Sequence, residues 1–123
     1  MRPEERDPAY LWDMLEAAQA VRDYTGDLSL VQFLEVGREM EITRLAVERR
    51  LEIMGEAARR ISPTYREEHP EIPWTDIVSL RNVISHEYDK VNYAAIYRIV
   101  CDDIPELIEL LEPLMPSPPS VEE

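Results

Sequence analysis

Apolar residues recur three and four positions apart along most of the chain, the period of helices that each bury one face, and no segment alternates as a half-buried strand does. Asp7-Pro8 reads as an N-cap followed by a proline in the first turn. It predicts a helix whose buried face is Tyr10, Leu11, Met14, Leu15, Ala18 and Val21, ending at Thr25-Gly26. Ser29-Leu30-Val31-Gln32 matches a capping box and predicts a short helix or helical turn before Gly37. From about Arg38 to Ile61 two apolar lines run side by side. Ile42, Ala46, Ile53 and Ala57 form one, and Val47, Leu51, Met54 and Ala58 the other. So wide a surface predicts two contacts, one inside the subunit and one to a second copy.

Ser62-Pro63 ends that helix, and PTYREEHPEIP reads as a connector with one helical turn. Pro73-Trp74 opens a further helix to about Glu87. Asn92 then caps a last one with the stripe Tyr93, Ile96, Ile99, Val100, Ile104, Leu107 and Leu111. Pro105 interrupts that stripe and predicts a kink, or a released bond near Cys101. The reading is all-α: an up-and-down bundle of four to five helices over 1–112, with a disordered proline-rich tail over 113–123.

Composition changes this picture in three ways. At 123 residues and 45% hydrophobic content the chain can bury one core, and one domain is expected. No apolar run approaches the roughly 20 residues that cross a bilayer, and MRPEERDPAY lacks the order of a signal peptide, which predicts a cytoplasmic protein with no membrane partner. The net charge of −13 excludes broad, non-specific nucleic-acid binding, so any RNA site must be local. Lys90 is the one lysine, and the remaining cations are arginines, suited to forked contacts with phosphate or carboxylate. Cys101 reads as a buried, inert thiol and His69 as a surface histidine, with no spacing that suggests a metal site and no cofactor signature.

Chemistry concentrates in Arg81, Asn82, Ser85, His86 and Tyr88. On an ideal helix Arg81 lies within about 60° of Trp74, Ile77, Val78, Ile84, Ser85 and Tyr88, on the apolar face. A guanidinium there needs an anion. Glu52 or Glu56 could supply one internally, or the partner could be a bound phosphate. Arg81 and His86 stand about 7.5 Å apart along such a helix and about 140° apart around it, so one straight helix does not aim both at one atom. Either the helix loosens near His86, or a second copy completes the site across a two-fold axis.

The string Arg81-Asn-Val-Ile-Ser-His86-Glu-Tyr88 resembles the R-x4-H-x-Y motif of the HepT-like toxins, a branch of the HEPN superfamily. Leu51-Glu-Ile-Met-Gly-Glu-Ala-Ala58, His69-Pro-Glu-Ile-Pro-Trp74 and Asp103-Ile-Pro-Glu-Leu107 resemble the same family in the same order, over roughly residues 8 to 112. The resemblance implies a HEPN-like helical homodimer, or higher homo-oligomer, with the motif at its interface. It also implies an RNA substrate and a nucleotidyltransferase antitoxin of the MntA type. On this resemblance Arg81 and His86 are the catalytic pair of a metal-independent endoribonuclease, and Tyr88 is where the antitoxin attaches AMP. Asn82 matches a polar residue that often follows the motif's arginine, and Asn82 and Ser85 are supporting positions. The alternative is a non-catalytic HEPN module that binds a nucleotide or a partner through Arg81. A purely structural helical bundle is a third possibility.

Overall fold

The computed structural model describes residues 3–84 and 91–116. A 3-10 turn, Pro3–Arg6, leads into α1 (Asp7–Thr25), followed by α2 (Leu30–Phe33), α3 (Arg38–Arg60), α4 (Pro63–Glu68), α5 (Trp74–Val78) and α6 (Leu80–Ile84). After the segment 85–90 come α7 (Tyr93–Arg98), a π-helical turn (Ile99–Asp103), α8 (Ile104–Leu111) and a 3-10 turn (Glu112–Leu114). No strand occurs among the described residues, and the fold is an all-α bundle, as the periodicity predicts.

The core follows the helical spacing. Leu11, Met14, Leu15, Ala18 and Val21 of α1 are buried against Val47, Leu51, Met54 and Ala58 of α3, and these two helices share the most extensive packing among the described residues. Ile104, Leu107, Ile108 and Leu111 of α8 close over α1. The second apolar line of α3 behaves differently. Ala57 is buried, Ala46 and Ile53 are half-buried, and Ile42 faces solvent. Leu114 and Met115 pack onto the core beyond α8, and residues 117–123 of the proline-rich tail lie outside the described residues. Among the described residues no helix is long and apolar enough to cross a membrane.

Three local expectations change. Asp7 does not cap α1, because the preceding 3-10 turn already carries the chain into the helix and leaves Arg6 at the cap position with no side-chain bond. The buried Asp7 carboxylate instead accepts from the Ser62 backbone N–H (2.8 Å) and the Ser62 hydroxyl (2.6 Å). Ser62 Oγ in turn accepts from the Tyr65 N–H (3.2 Å) as the N-cap of α4, so one carboxylate ties the start of α1 to the end of α3.

Pro105 has no N–H to return to Cys101, and the backbone absorbs the loss by widening. Ile104 N–H bonds Ile99 O, five residues back. Cys101, expected to be buried, is exposed on that widened turn. His69 is half-buried rather than free on the surface. Its ring lies 4.3 Å from that of Tyr65, and its carbonyl accepts from Trp74 Nε1 at 2.9 Å.

Candidate active site

The helix predicted from Trp74 to about Glu87 is broken at Ser79. Ser79 N–H still reaches Thr75 O, but Asn82 N–H reaches back only three residues, to Ser79 O at 2.8 Å. The Ser79 hydroxyl donates to Asp76 O, which helps hold the tight turn. Three residues per turn at this point place Leu80 beneath Ile77, the position Arg81 would take on an unbroken α-helix. Leu80 and Ile84 are buried in consequence, and Arg81 and Asn82 are exposed. The expectation that Arg81 sits among apolar neighbours is thus corrected by one change of helical register.

The internal ion pair is corrected as well. Glu56 accepts from Arg59 (Nη2 at 2.7 Å) and Arg60 (Nε at 2.8 Å), and these bonds hold its carboxyl down to about 2. Glu52 stands 3.7 Å from Arg49. Among the described residues no carboxylate pairs with Arg81. Ser85, His86 and Tyr88 lie outside the described residues.

What holds α6 in place was only partly legible in the sequence. Trp74 is anchored by its bond to His69 O and by burial beside Ile72, which gives the His69-Pro-Glu-Ile-Pro-Trp74 string a structural task. Gly55, in the middle of α3, is the second support. A Cβ there would stand 3.1 Å from Ile77 O and 3.9 Å from Leu80 Cβ, so any larger residue would press the α5–α6 junction back by a few tenths of an ångström. A glycine inside a long helix, in a chain with just 3 glycines, is the signal that marks it.

A cavity of about 410 Å³ opens beside the other face of this junction, lined by Ile77, Leu80, Val83, Ile104 and Leu107 together with Asp76, Asp103 and Glu106. Burial first, then the neighbouring Asp102, Glu106 and Asp76, push the Asp103 carboxyl upward. Such a lining repels phosphate, and the exposed face with Arg81 and Asn82 is the better place for an anionic ligand.

The family described as Ribonuclease HepT-like matches residues 14–114, a span that contains the buried core from Met14 to Leu111 and the Arg81-to-Tyr88 string. The chain is similar to "Putative RNase MJ1380" of Methanocaldococcus jannaschii, at 38% identity over 104 residues, 85% of this chain and 92% of that protein. It is also similar to "Probable ribonuclease HepT" of Thermococcus cleftensis, at 35% identity over 98 residues, 80% of this chain and 86% of that protein. No solved structure matches. With the family match spanning most of its length and carrying the complete motif, this chain belongs to the HepT-like ribonuclease family.

Proposed function

We propose that the chain is the ribonuclease toxin of a two-component module, cutting single-stranded RNA without a metal ion through Arg81 and His86. The observation that carries this reading is Arg81 itself. An arginine presented to solvent, with no carboxylate on it among the described residues, in a chain of net charge −13, is a local cation available to a phosphate. Family membership supplies the reaction class, and the residues supply its parts.

The nucleophile is the RNA 2′-hydroxyl. His86, as base, takes its proton while the 2′-oxygen bonds to phosphorus, and Arg81 stabilises charge on the phosphoryl oxygens. The bond from phosphorus to the 5′-oxygen breaks, a protonated imidazole returns a proton to that leaving oxygen, and the products are a 2′,3′-cyclic phosphate and a 5′-hydroxyl. One imidazole cannot be base and acid in the same step, which favours a two-copy site in which the second copy's His86 takes the other part. Asn82 and Ser85 orient the phosphate.

The partner is a nucleotidyltransferase antitoxin. Transfer joins the Tyr88 phenol oxygen to the α-phosphorus of a nucleoside triphosphate with loss of pyrophosphate. It leaves a phosphodiester anion seven residues along the chain from Arg81, where it competes for the guanidinium. Cells carrying Tyr88→Phe are expected to suffer the toxin and to lose rescue by AMP transfer; equal rescue of both forms by the partner contradicts that arm. The chemistry is tested with an oligonucleotide whose scissile nucleotide alone lacks its 2′-hydroxyl. Wild type should leave that one linkage intact while cutting the all-ribose strand, and cleavage at the deoxy position removes the proposed nucleophile.

A further inference from the structure

The cavity of about 410 Å³ beside the α5–α6 junction is separate from the cutting site, since neither Arg81 nor Asn82 lines it. Its volume suits a small organic molecule rather than a single ion. The floor is aliphatic: Met54 from α3, Ile77 and Leu80 from the junction, and Leu107 and Leu110 from α8. These side chains belong to the buried core or pack against it, so the floor is a fixed surface. Among the described residues no aromatic ring lines it, which removes the ring faces that hold a quaternary ammonium.

Four carboxylates stand around that floor. Glu71 and Asp76 lie on the α5 side and Asp103 and Glu106 on the α8 side, all of them exposed. Glu71 meets His69 Nδ1 at 3.3 Å, and no cation pairs with the other three among the described residues. Burial first, then Asp102, Glu106 and Asp76, raise the Asp103 carboxyl, so the charges of the two walls are felt across the opening. They are not gathered as metal ligands: among the described residues no three acidic, histidine or cysteine side chains converge to hold an ion. Carboxylates set apart over hydrocarbon call for several hydrogen-bond-donating cations joined by methylenes. Each positive nitrogen then meets an oxygen at the rim, while the carbons between leave water for Ile77, Leu80 and Leu107.

We propose that this cavity binds a linear aliphatic polyamine, with its methylenes on the floor and its ammonium groups on Asp76, Asp103 and Glu106. Charge complementarity selects this occupant. A nucleotide or fatty acid would bring an anion to a rim of anions, and an uncharged apolar molecule would leave the carboxylates uncompensated. Leu80 and Val83 reach the cavity from α6, the helix that also carries Arg81, so the ligand rests against the element that presents that guanidinium. The site holds or falls without the cleavage reading, because its measure is binding.

Equilibrium dialysis of the full chain against labelled spermidine, in about 0.15 M salt to screen diffuse attraction to the net charge of −13, tests the site. Wild type should bind saturably at one site. Asp76→Asn with Asp103→Asn should weaken binding about tenfold, whereas Glu16→Gln with Glu67→Gln, which removes the same charge from exposed positions outside the cavity, should leave it unchanged. Circular dichroism checks that both double variants fold. As competitors, hexamethylenediamine should bind at least about threefold tighter than putrescine, two methylenes shorter, because the extra carbons are buried on the floor. Equal weakening by the two double variants, or displacement of spermidine by an equal concentration of magnesium ion, would reduce the attraction to a counterion atmosphere and overturn the proposal. Absence of binding at millimolar spermidine overturns it as well. So does a basic, leucine-bearing peptide that saturates the cavity where spermidine does not, which would assign the site to a protein partner.

Discussion

Two side chains decide the account at the scale of single residues, and they decide different things. Asp7 is buried with two donors from Ser62, so removing its carboxylate strands a buried N–H and a buried hydroxyl. Asp7→Ala should cost about 2 kcal/mol in chemical denaturation, with Asp7→Asn costing less because an amide oxygen still accepts. A loss within about 0.5 kcal/mol would show that the tie is idle. Arg81 is the reverse case. Its side chain is exposed, so Arg81→Ala should leave the denaturation midpoint nearly unchanged while lowering the cleavage rate by roughly 10²- to 10³-fold. Arg81→Lys should recover only part of that, since an ammonium cannot offer the planar fork. Equal losses of rate and stability in Arg81→Ala would return the residue to a structural role.

At the scale of elements, the α5–α6 junction is where local geometry sets up the chemistry. Gly55→Val drives branched methyls into the Ile77 carbonyl and Leu80, and should cost about 1–3 kcal/mol and lower cleavage in the protein that still folds. Unchanged cleavage in folded protein would separate the junction from the site. The α3–α7 contact carries a pH dependence. Burial, then the hydrogen bond to the Glu48 carboxylate, push the Tyr93 phenol from 10.0 up to about 12. Because the folded value is raised, this stabilisation is complete below pH 10 and is lost as the pH climbs toward about 12. Thermal melts should therefore fall less steeply over that window in Tyr93→Phe than in wild type, and parallel slopes would contradict it.

The helices themselves were readable from spacing: α1, the cap at Ser29, α3 and the Asn92 cap all lie where the apolar period and capping residues predict. A helical wheel misplaces Arg81 because it assumes one register, and the three-residue turn at Ser79 lies where the α5–α6 backbone meets Gly55, a long-range contact that no local pattern encodes. Asp7 was misassigned for a similar reason, since its partner is 55 residues away. The motif was legible as a string, while the internal partners proposed for its arginine proved to be engaged by Arg49, Arg59 and Arg60.

For the whole molecule, the balance of charge governs how RNA is met. A chain of net charge −13 neutralises few phosphates, so binding should weaken only gently with salt, with a log–log slope near −1 to −2 on single strands. A steep slope in fluorescence anisotropy titrations would reveal a broad basic surface at odds with the local site. Single-turnover cleavage of single-stranded RNA in excess EDTA, by wild type, Arg81→Ala and His86→Ala side by side, tests the central claim most directly. The account predicts that wild type cuts, that both variants lose activity by at least about 10² while remaining folded, with His86→Ala still binding RNA, and that EDTA changes nothing. Cleavage abolished by EDTA, or retained by His86→Ala, would contradict it.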